Sequence, residues 1–222
     1  MGVSGVGCVF YPGSMLKVDP GRASKFFSRR ADRGNIFDLI SNGDTMNHVD
    51  WRAEAAAIWR PRQQRLRPVR HLDPVALDDL LGVDTQKRKL VQNTERFLAG
   101  KPANHALLWG SRGTGKSSLV KALLNEYAPR GLRMIEVEKH DLVDLPEIVD
   151  DLRERAQRFV VYCDDIAFED GETQYKHLKS VLEGSLELPP ENVRLYATSN
   201  RRHLVSSGRT ARQFYNQFVG EL

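Results

Sequence analysis

The chain has 222 residues, of which 41% are hydrophobic and 28% are charged, a composition that fits a folded domain with a sizeable core. No apolar run approaches the roughly 20 residues that a membrane span needs, and residues 1–18 lack the basic start and long apolar stretch of a secretory signal. The net charge of +4 arises from residues 1–70, which hold an excess of basic side chains. This excess predicts either contact with nucleic acid or another acidic partner, or a solvated leader, and we favour the leader.

Cysteine and histidine usage argues against a disulfide or a metal centre built from these residues. Cys8 falls in an irregular stretch and Cys163 in a predicted buried strand. We therefore expect no disulfide and a location in the reducing cytoplasm. The six histidines show none of the spacings of metal ligands.

The first seventy residues show little regular patterning. Residues 1–50 are rich in Gly, Ser, Asp and Asn and have no persistent period, which predicts weak structure. A short helix is predicted over residues 51–59. Residues 60–70 are predicted to form a basic linker, because they contain two prolines that oppose a helix. We therefore expect residues 1–70 to be a leader and linker. The positive charge of residues 60–70 would allow them to bind nucleic acid, but we do not favour that role.

From residue 71 onward, helical and strand patterns alternate. Helices are predicted over residues 84–98, 116–127 and 173–186, and a further one opens at the capping box Asp144-Leu-Pro-Glu147. Strands are predicted over residues 106–109, 132–137, 159–163 and 193–197. Three of the strands are nearly continuous apolar runs, which is typical of a parallel sheet covered on both faces. We predict a three-layer α/β/α fold with a mainly parallel sheet, and ligands at the carboxyl ends of its strands.

One segment has the pattern of a phosphate-binding loop. Gly110-Ser-Arg-Gly-Thr-Gly-Lys-Ser117 follows a predicted strand and opens a predicted helix. Its glycines let successive backbone amides point inward, so that the loop and the helix N-terminus form an anion cradle. Lys116 would add a positive charge and Ser117 a hydroxyl ligand for Mg²⁺. A glycine-rich turn that merely caps a helix is the disfavoured alternative. The predicted nucleotide contacts here are Gly110, Ser111, Arg112, Gly113, Thr114, Gly115, Lys116, Ser117 and Ser118.

Two acids, Asp164 and Asp165, end the apolar strand at residues 159–163. At the sheet edge beside the phosphate loop, Asp164 would hold Mg²⁺ through its water shell together with Ser117. Asp165 would orient or deprotonate the attacking water. Two adjacent acids after a strand can also form a helix cap or a turn, and Glu169 is a less suitable candidate for the role of Asp165.

A third polar element follows the last predicted strand. Asn200 ends the string Thr198-Ser199-Asn200 and could contact a γ-phosphate or the attacking water, although Ser-Asn ends many strands. The order of the three elements resembles that of the AAA+ ATPases. In that resemblance Gly110–Ser117 looks like the Walker A loop, Asp164–Asp165 like Walker B, and Asn200 like the sensor of the γ-phosphate.

Longer strings narrow the resemblance. Residues 107–127, 162–165 and 196–204 look like a bacterial AAA+ family known only as domain of unknown function 815, and the likeness covers roughly residues 59–204. It implies ATP as the ligand and Mg²⁺ as the cofactor. Leu81, Gly82 and Val83 sit where AAA+ proteins often contact adenine. Asp165 stands where AAA+ proteins more often have Glu, a departure that is similar to the bacterial replication initiators.

The resemblance also implies parts that this sequence lacks. An AAA+ core continues into a fifth strand and a helical lid, with arginines that stabilise the transition state. Residues 205–222 do not resemble that continuation. We therefore expect an incomplete nucleotide-binding core at residues 71–204, followed by a polar tail. In the AAA+ strand order, the strand at residues 106–109 would then be an unpaired edge, which favours instability or association.

These patterns predict an ATPase that cleaves the β–γ phosphate bond, slowly because the lid and arginine finger are missing. The alternative is a nucleotide-sensing interaction module without significant hydrolysis. A P-loop phosphotransferase would need a catalytic-arginine lid, for which only Arg201 and Arg202 are candidates, and a GTPase is disfavoured because no Asn-Lys-x-Asp string is present. Expected partners are further copies of the chain, through AAA+ surfaces, and an unidentified client protein.

Overall fold

The computed structural model describes residues 7–10 (backbone only), 49–167, 178 and 188–200. Within them, seven strands form one sheet in the order β1-β4-β7-β6-β5-β2-β3. The strands are β1 Gly7–Phe10, β2 Ala56–Arg60, β3 Arg65–Pro68, β4 Ala106–Trp109, β5 Leu132–Glu136, β6 Arg158–Cys163 and β7 Val193–Ser199. The helices are α1 Asp84–Leu98, α2 Lys116–Tyr127 and α3 Leu145–Arg153. Strands β4, β7, β6, β5 and β2 run parallel, and β1 and β3 pair antiparallel at the two edges.

The helices cover the sheet on both faces, which confirms the predicted three-layer α/β/α fold. One face packs against α1 and α2 through a core that contains Leu90, Phe97, Ala106, Leu108, Leu119, Leu123, Met134, Val160 and Tyr196. The other face packs against α3 through a core that contains Leu107, Ile135, Leu145, Ile148, Leu152, Phe159, Val161 and Leu195. Because apolar side chains alternate between these two cores, the central strands carry apolar residues at nearly every position, as predicted.

The predicted bounds of α1, β4 and α2 are confirmed to the residue, and those of β5, β6 and β7 to within two residues. The predicted capping box of α3 is wrong in its chemistry. Asp144 is the N-cap residue but forms no side-chain cap. Its carboxylate accepts a hydrogen bond from the Trp59 indole nitrogen, at 2.8 Å, and so ties the start of α3 to β2.

The predicted helix at residues 51–59 and the predicted linker at residues 60–70 are both wrong. Residues 56–60 form β2, which pairs in parallel with β5, and β3 folds back on β2 as an antiparallel edge strand. The alanines there favour a helix in isolation, but pairing with β5 outweighs that preference. Gln64, at φ 45°, makes the tight turn between the strands, and Pro68 is tolerated because β3 lies at the edge of the sheet.

The prediction that β4 forms an unpaired edge is also wrong. Strand β1 pairs with β4 over its full length, with Gly7 opposite Trp109 and Phe10 opposite Ala106. A segment almost one hundred residues earlier in the chain therefore satisfies the outer backbone groups of the strand that leads into the phosphate loop.

Several predicted segments lie wholly or partly outside the residues that the structure describes. The predicted helix at 173–186 is described only at Leu178, which is helical and buried. The tail at 205–222 and most of the leader lie outside the described ranges. Cys163 is a free, buried thiol. No helix in the described ranges combines the length and apolarity that crossing a membrane requires, and the cytoplasmic location stays a prediction.

Candidate functional site

The loop between β4 and α2 is built on left-handed glycines. Gly113 and Gly115 have φ of 76° and 82°, a region that L-residues with a side chain rarely adopt. Gly115 is also the N-cap residue of α2, so the free amides of the first helical turn face the loop. The Thr114 hydroxyl donates to the Ser111 carbonyl, at 2.8 Å, and closes the loop on itself. The result is a compact turn that directs a helix N-terminus at whatever the loop encloses.

Lys116 is folded into this loop and is 7% exposed. Its ammonium nitrogen donates to the carbonyl oxygens of Gly110 and Ser111, at 2.9 and 2.7 Å, and to Asn200 Oδ1 at 3.1 Å. Burial lowers the pKa of Lys116, although the nearby carboxylates of Asp165 and Asp164 act in the opposite direction. The ammonium therefore lies inside the loop, held by neutral acceptors that an anionic oxygen can replace.

Asp164 lies beside α2 at the end of β6. Its Oδ1 accepts a hydrogen bond from the Ser117 hydroxyl, at 2.8 Å, and another from the Thr198 hydroxyl. Burial alone would raise the pKa of Asp164, but the hydroxyls of Thr198, Ser117 and the nearby Tyr162 outweigh burial, and the pKa is lowered. The site therefore stabilises Asp164 as a carboxylate.

Asp165 occupies a left-handed backbone conformation, with φ of 49°. Its amide donates to the Thr198 hydroxyl, at 2.9 Å, which holds the strand end of β6 against that of β7. Its carboxylate accepts a hydrogen bond from the Asn200 amide nitrogen, at 2.6 Å, and lies 3.9 Å from the Arg112 guanidinium. The two predicted catalytic side chains, Asp165 and Asn200, are thus in direct contact.

The segment predicted to contact adenine lies close to the phosphate loop. The Leu80 side chain is 3.8 Å from the point where a Cβ on Gly115 would stand. The Lys87 ammonium, on α1, donates to the Leu80 carbonyl at 3.0 Å and fixes the segment. Leu81 is 87% exposed and Val83 is buried, so of these two side chains only that of Leu81 is open to a ligand.

Thr198 and Arg112 contact the two acids of the site in ways that the sequence did not predict. Thr198 joins the two acids that follow β6, because its hydroxyl donates to Asp164 and accepts from the Asp165 amide. The signal for it in the sequence was its position directly after a predicted strand, since the two acids also directly follow a strand of the same predicted sheet. The Arg112 guanidinium lies 3.9 Å from the Asp165 carboxylate, and its predicted contact with the nucleotide stays a prediction. Ser118 lies half-buried in the first turn of α2.

The oxygen atoms at this edge suit Mg²⁺ better than a transition metal. Within the described ranges, no group of three or more His, Cys, Asp and Glu side chains is arranged to hold a metal ion. Mg²⁺ needs fewer protein ligands, because it keeps several waters and takes others from a substrate phosphate. The Ser117 hydroxyl and the Asp164 carboxylate, already 2.8 Å apart, are the hard oxygen donors that this ion prefers.

A comparison with protein families decides the relationship. The family model described as "Protein of unknown function (DUF815)" matches residues 52–207, which is more than half of the chain. The chain belongs to the DUF815 family. The family recognised from the sequence is thereby confirmed, and the DUF815 match includes both β2 and β3, which had been assigned to a leader and linker.

The DUF815 chain also has partial matches among curated proteins. Two of them, both named replication factor C large subunit, come from Staphylothermus marinus and Ignicoccus hospitalis. The first is 41% identical over 69 residues, which is 31% of this chain and 16% of the relative. The second is 36% identical over 70 residues, which is 31% of this chain and 14% of the relative. The match thus spans a small part of either relative.

Among solved structures, AMPPCP-bound DnaA from Aquifex aeolicus is similar with a TM-score of 0.46 and 22% identity, over 65% of this chain and 49% of that one. The RuvB Holliday junction branch migration motor from Thermotoga maritima is similar with a TM-score of 0.43 and 19% identity, over 66% of this chain and 46% of that one. The DUF815 chain therefore covers about half of either structure.

Proposed function

We propose that this DUF815 chain binds ATP together with Mg²⁺ and slowly hydrolyses the β–γ phosphate bond. One observation carries the proposal. Lys116, on α2, contacts Asn200 at 3.1 Å across 84 residues of sequence, and Ser117 contacts Asp164 across 47. Three segments that are distant in sequence thus meet at the carboxyl edge of a parallel sheet, which is where such folds bind nucleotides.

The loop supplies the groups that would bind the phosphates. The first amides of α2 point out of the helix, and the Lys116 ammonium lies within reach of the loop interior. An anionic phosphate oxygen is a stronger acceptor than the carbonyls of Gly110 and Ser111. A bound triphosphate would also favour the charged form of Lys116, whose pKa burial now lowers. Phosphate binding therefore replaces weak contacts of Lys116 with strong ones.

Ser117 and Asp164 would hold the magnesium ion, Ser117 through its hydroxyl oxygen and Asp164 through the ion's water shell. Bound Mg²⁺ would neutralise charge on the β- and γ-phosphates. The lowered pKa of Asp164 keeps this side chain ionised at neutral pH, and the hydroxyl of Thr198 holds it in place. These residues prepare a negative, oriented oxygen on the side of the loop where the phosphates would lie.

Asp165 is the candidate to orient or deprotonate the attacking water. Its carboxylate is held by Asn200 at 2.6 Å and faces Arg112 at 3.9 Å. Hydrolysis then requires Asn200 and Arg112 to release this carboxylate, since a general base must reach the water itself. The same contacts favour the second candidate, a nucleotide-sensing module, in which Asp165 stays paired and hydrolysis is negligible.

The partners of the chain are proposed on separate grounds from the nucleotide site. Assembly with further copies, and with a client protein, is proposed from the AAA+ resemblance alone. The basic residues of the β2–β3 hairpin could meet nucleic acid, a role that the name of the replication factor relatives makes worth testing. We do not favour it, because the arginines there belong to a folded sheet edge with no nucleic-acid-binding motif.

Release of phosphate from radiolabelled ATP, with no acceptor added, tests the proposal. We expect turnover below about 1 s⁻¹, because Asn200 and Arg112 must release the Asp165 carboxylate before it can act on a water. Asp165→Asn should leave nucleotide binding intact and lower hydrolysis on the order of 100-fold, as loss of a general base does. Asp73→Asn is the matched control, since Asp73 pairs with Lys121 at 3.1 Å, away from these side chains, and should change neither property.

Each result has a defined meaning. Equal hydrolysis by wild type and Asp165→Asn would contradict the role of Asp165. Saturable binding with no hydrolysis by wild type would support the sensing module. If wild type releases no phosphate in this assay but labels a small-molecule acceptor when one is added, the result would support a phosphotransferase instead.

A further inference from the structure

Tyr162 lies directly behind the proposed magnesium site. It is in β6, two residues before Asp164, and side chains two apart along a strand share a face. The Tyr162 side chain is 3% exposed and packs in the core between the sheet and helices α1 and α2. Its neighbours in the adjacent strands are Glu136 of β5 and Tyr196 of β7. A polar group at this position is therefore buried below the site and cannot reach bulk water.

The hydroxyl of Tyr162 has an unmet hydrogen bond. It is fully buried, and no partner in the described part of the chain meets it with normal hydrogen-bond geometry. Burial is the main cause that raises the pKa of this hydroxyl, and the nearby side chains of Ser117, Asp164 and Thr198 also act on that pKa. Native proteins rarely leave a buried hydroxyl without a partner unless the site has a use for it.

Asp164 is the acceptor best able to take this hydrogen bond. An ionised carboxylate accepts at about four positions. In Asp164, the Oδ1 atom already accepts from Ser117 and Thr198. Each added donor on the inner side of the carboxylate restricts its rotation and leaves the outer lone pairs for the water shell of a metal ion. Such outer contacts commonly determine how well a metal site holds its ion.

We propose that Tyr162 is a positioning residue of the magnesium site, whose hydroxyl donates to Asp164 and fixes the carboxylate toward the ion. This inference rests on the proposed function, because it assumes that Ser117 and Asp164 hold Mg²⁺. It adds a residue that no part of the phosphate-loop pattern points to, since Tyr162 lies in β6, outside residues 110–117. Its effect acts through Asp164 alone.

The test is the Mg²⁺ dependence of nucleotide binding in Tyr162→Phe, which removes the hydroxyl and keeps the ring. The probe is a fluorescent non-hydrolysable ATP analogue, titrated at a series of Mg²⁺ concentrations and again in excess EDTA. We expect the apparent Mg²⁺ affinity to fall on the order of 10-fold. Binding of the analogue in EDTA should stay as in wild type, because the loop and Lys116 are unchanged.

Tyr196→Phe is the matched control. Tyr196 is the neighbour of Tyr162 in the next strand and is equally buried, but its hydroxyl contacts Asn93 and Thr94 of α1, at 3.0 and 2.9 Å. Its loss should lower the melting temperature and leave the Mg²⁺ dependence unchanged. Tyr162→Phe should show the opposite pattern, a weaker Mg²⁺ dependence with little change in melting temperature, because the one partner proposed for its hydroxyl is Asp164.

The outcomes separate this inference from the proposed function. If wild type shows no saturable binding of the analogue, the proposed function fails. If wild type binds with Mg²⁺ dependence and Tyr162→Phe keeps its Mg²⁺ affinity within about twofold, the role of Tyr162 alone is overturned. A Tyr162→Phe protein that loses its cooperative unfolding transition also overturns it, because the hydroxyl would then be a structural group.

Discussion

The central strands carry polar side chains at both ends, and the two sets differ in what they bind. At the amino end, polar side chains bond mainly to backbone. The Leu195 amide donates to His105 Nδ1 at 2.9 Å, and Arg194 Nε donates to the Ala103 carbonyl at 2.9 Å. At the carboxyl end, several polar side chains bond to one another, as in the pairs Ser117–Asp164 and Asn200–Asp165, and Lys116 bonds to Asn200 as well as to two loop carbonyls.

The difference indicates which end is adapted to a ligand. A side chain bonded to backbone has a partner that the fold fixes, and losing it leaves a buried group unpaired. Side chains bonded to each other can exchange that partner for a phosphate oxygen, a water or an ion without disturbing a strand. We therefore expect changes at the carboxyl end to affect binding more than stability, and changes at the amino end to do the opposite.

Lys116→Ala, at the carboxyl end, should have the largest effect. Loss of the buried ammonium removes a charge-assisted contact to the phosphates, and nucleotide affinity should fall by on the order of 100-fold or more, about 2.7 kcal/mol. The melting temperature should stay within about 3 °C of wild type. Equilibrium titration and thermal unfolding measure the two effects.

Lys121→Ala, on the same helix but in an exposed pair with Asp73, is the control and should keep its affinity. Equal losses in both variants would show that the loss is not specific to the loop.

Asn93→Ala, at the amino end, should show the opposite behaviour. Asn93 is 6% exposed. It bonds to both the carbonyl and the amide of Asn104, at 2.9 Å each, and to the Tyr196 hydroxyl at 3.0 Å. Its removal leaves these buried groups without their hydrogen bonds to Asn93 and should lower the free energy of unfolding by about 2 kcal/mol. Nucleotide affinity should not change. Denaturant unfolding of the same preparation used for the titration checks both, and a loss of affinity without a loss of stability would reverse the assignment of the two ends.

The amino end should also make stability depend on pH. Burial, with the charge of Arg194 second, lowers the pKa of His105 to about 3. In the unfolded chain this imidazole takes up a proton near pH 6.5. In the folded chain it stays neutral at that pH, because its pKa is lowered. Stability should therefore be fully present above pH 6.5 and fall progressively toward pH 3, with about 1.5 kcal/mol lost between pH 6.5 and 5.

Denaturant unfolding at several pH values measures this loss. His105→Asn keeps an acceptor for the Leu195 amide but does not titrate, so its stability should change less over the same range. A wild-type profile as flat as that of His105→Asn would show that His105 is protonated in the folded protein.

How much of this was visible in the sequence depends on how far apart the partners lie. The sequence predicted β4, the loop and α2 to the residue, because their pattern is local and the glycine conformations follow from residue type. It predicted a helix for β2, but each residue of β2 that pairs with β5 has its partner 78 residues later in the chain, and this pairing outweighs the helical preference of the alanines. The pairing of β1 with β4, and the pairing of Asn93 with Tyr196 across 103 residues, leave no local pattern. For the same reason the sequence named Asp164 and Asp165 but not the Thr198 hydroxyl that joins them.

The central claim is that the loop at residues 110–117 and the Ser117–Asp164 pair together hold a magnesium-bound triphosphate. Calorimetric titration of the wild-type chain with a non-hydrolysable ATP analogue, with and without Mg²⁺, tests it most directly. The account predicts saturable binding at one site that Mg²⁺ tightens, and stabilisation of the fold by about 2.7 kcal/mol when the ligand is at 100 times its dissociation constant. Folded protein that takes up no analogue at any Mg²⁺ concentration would contradict it.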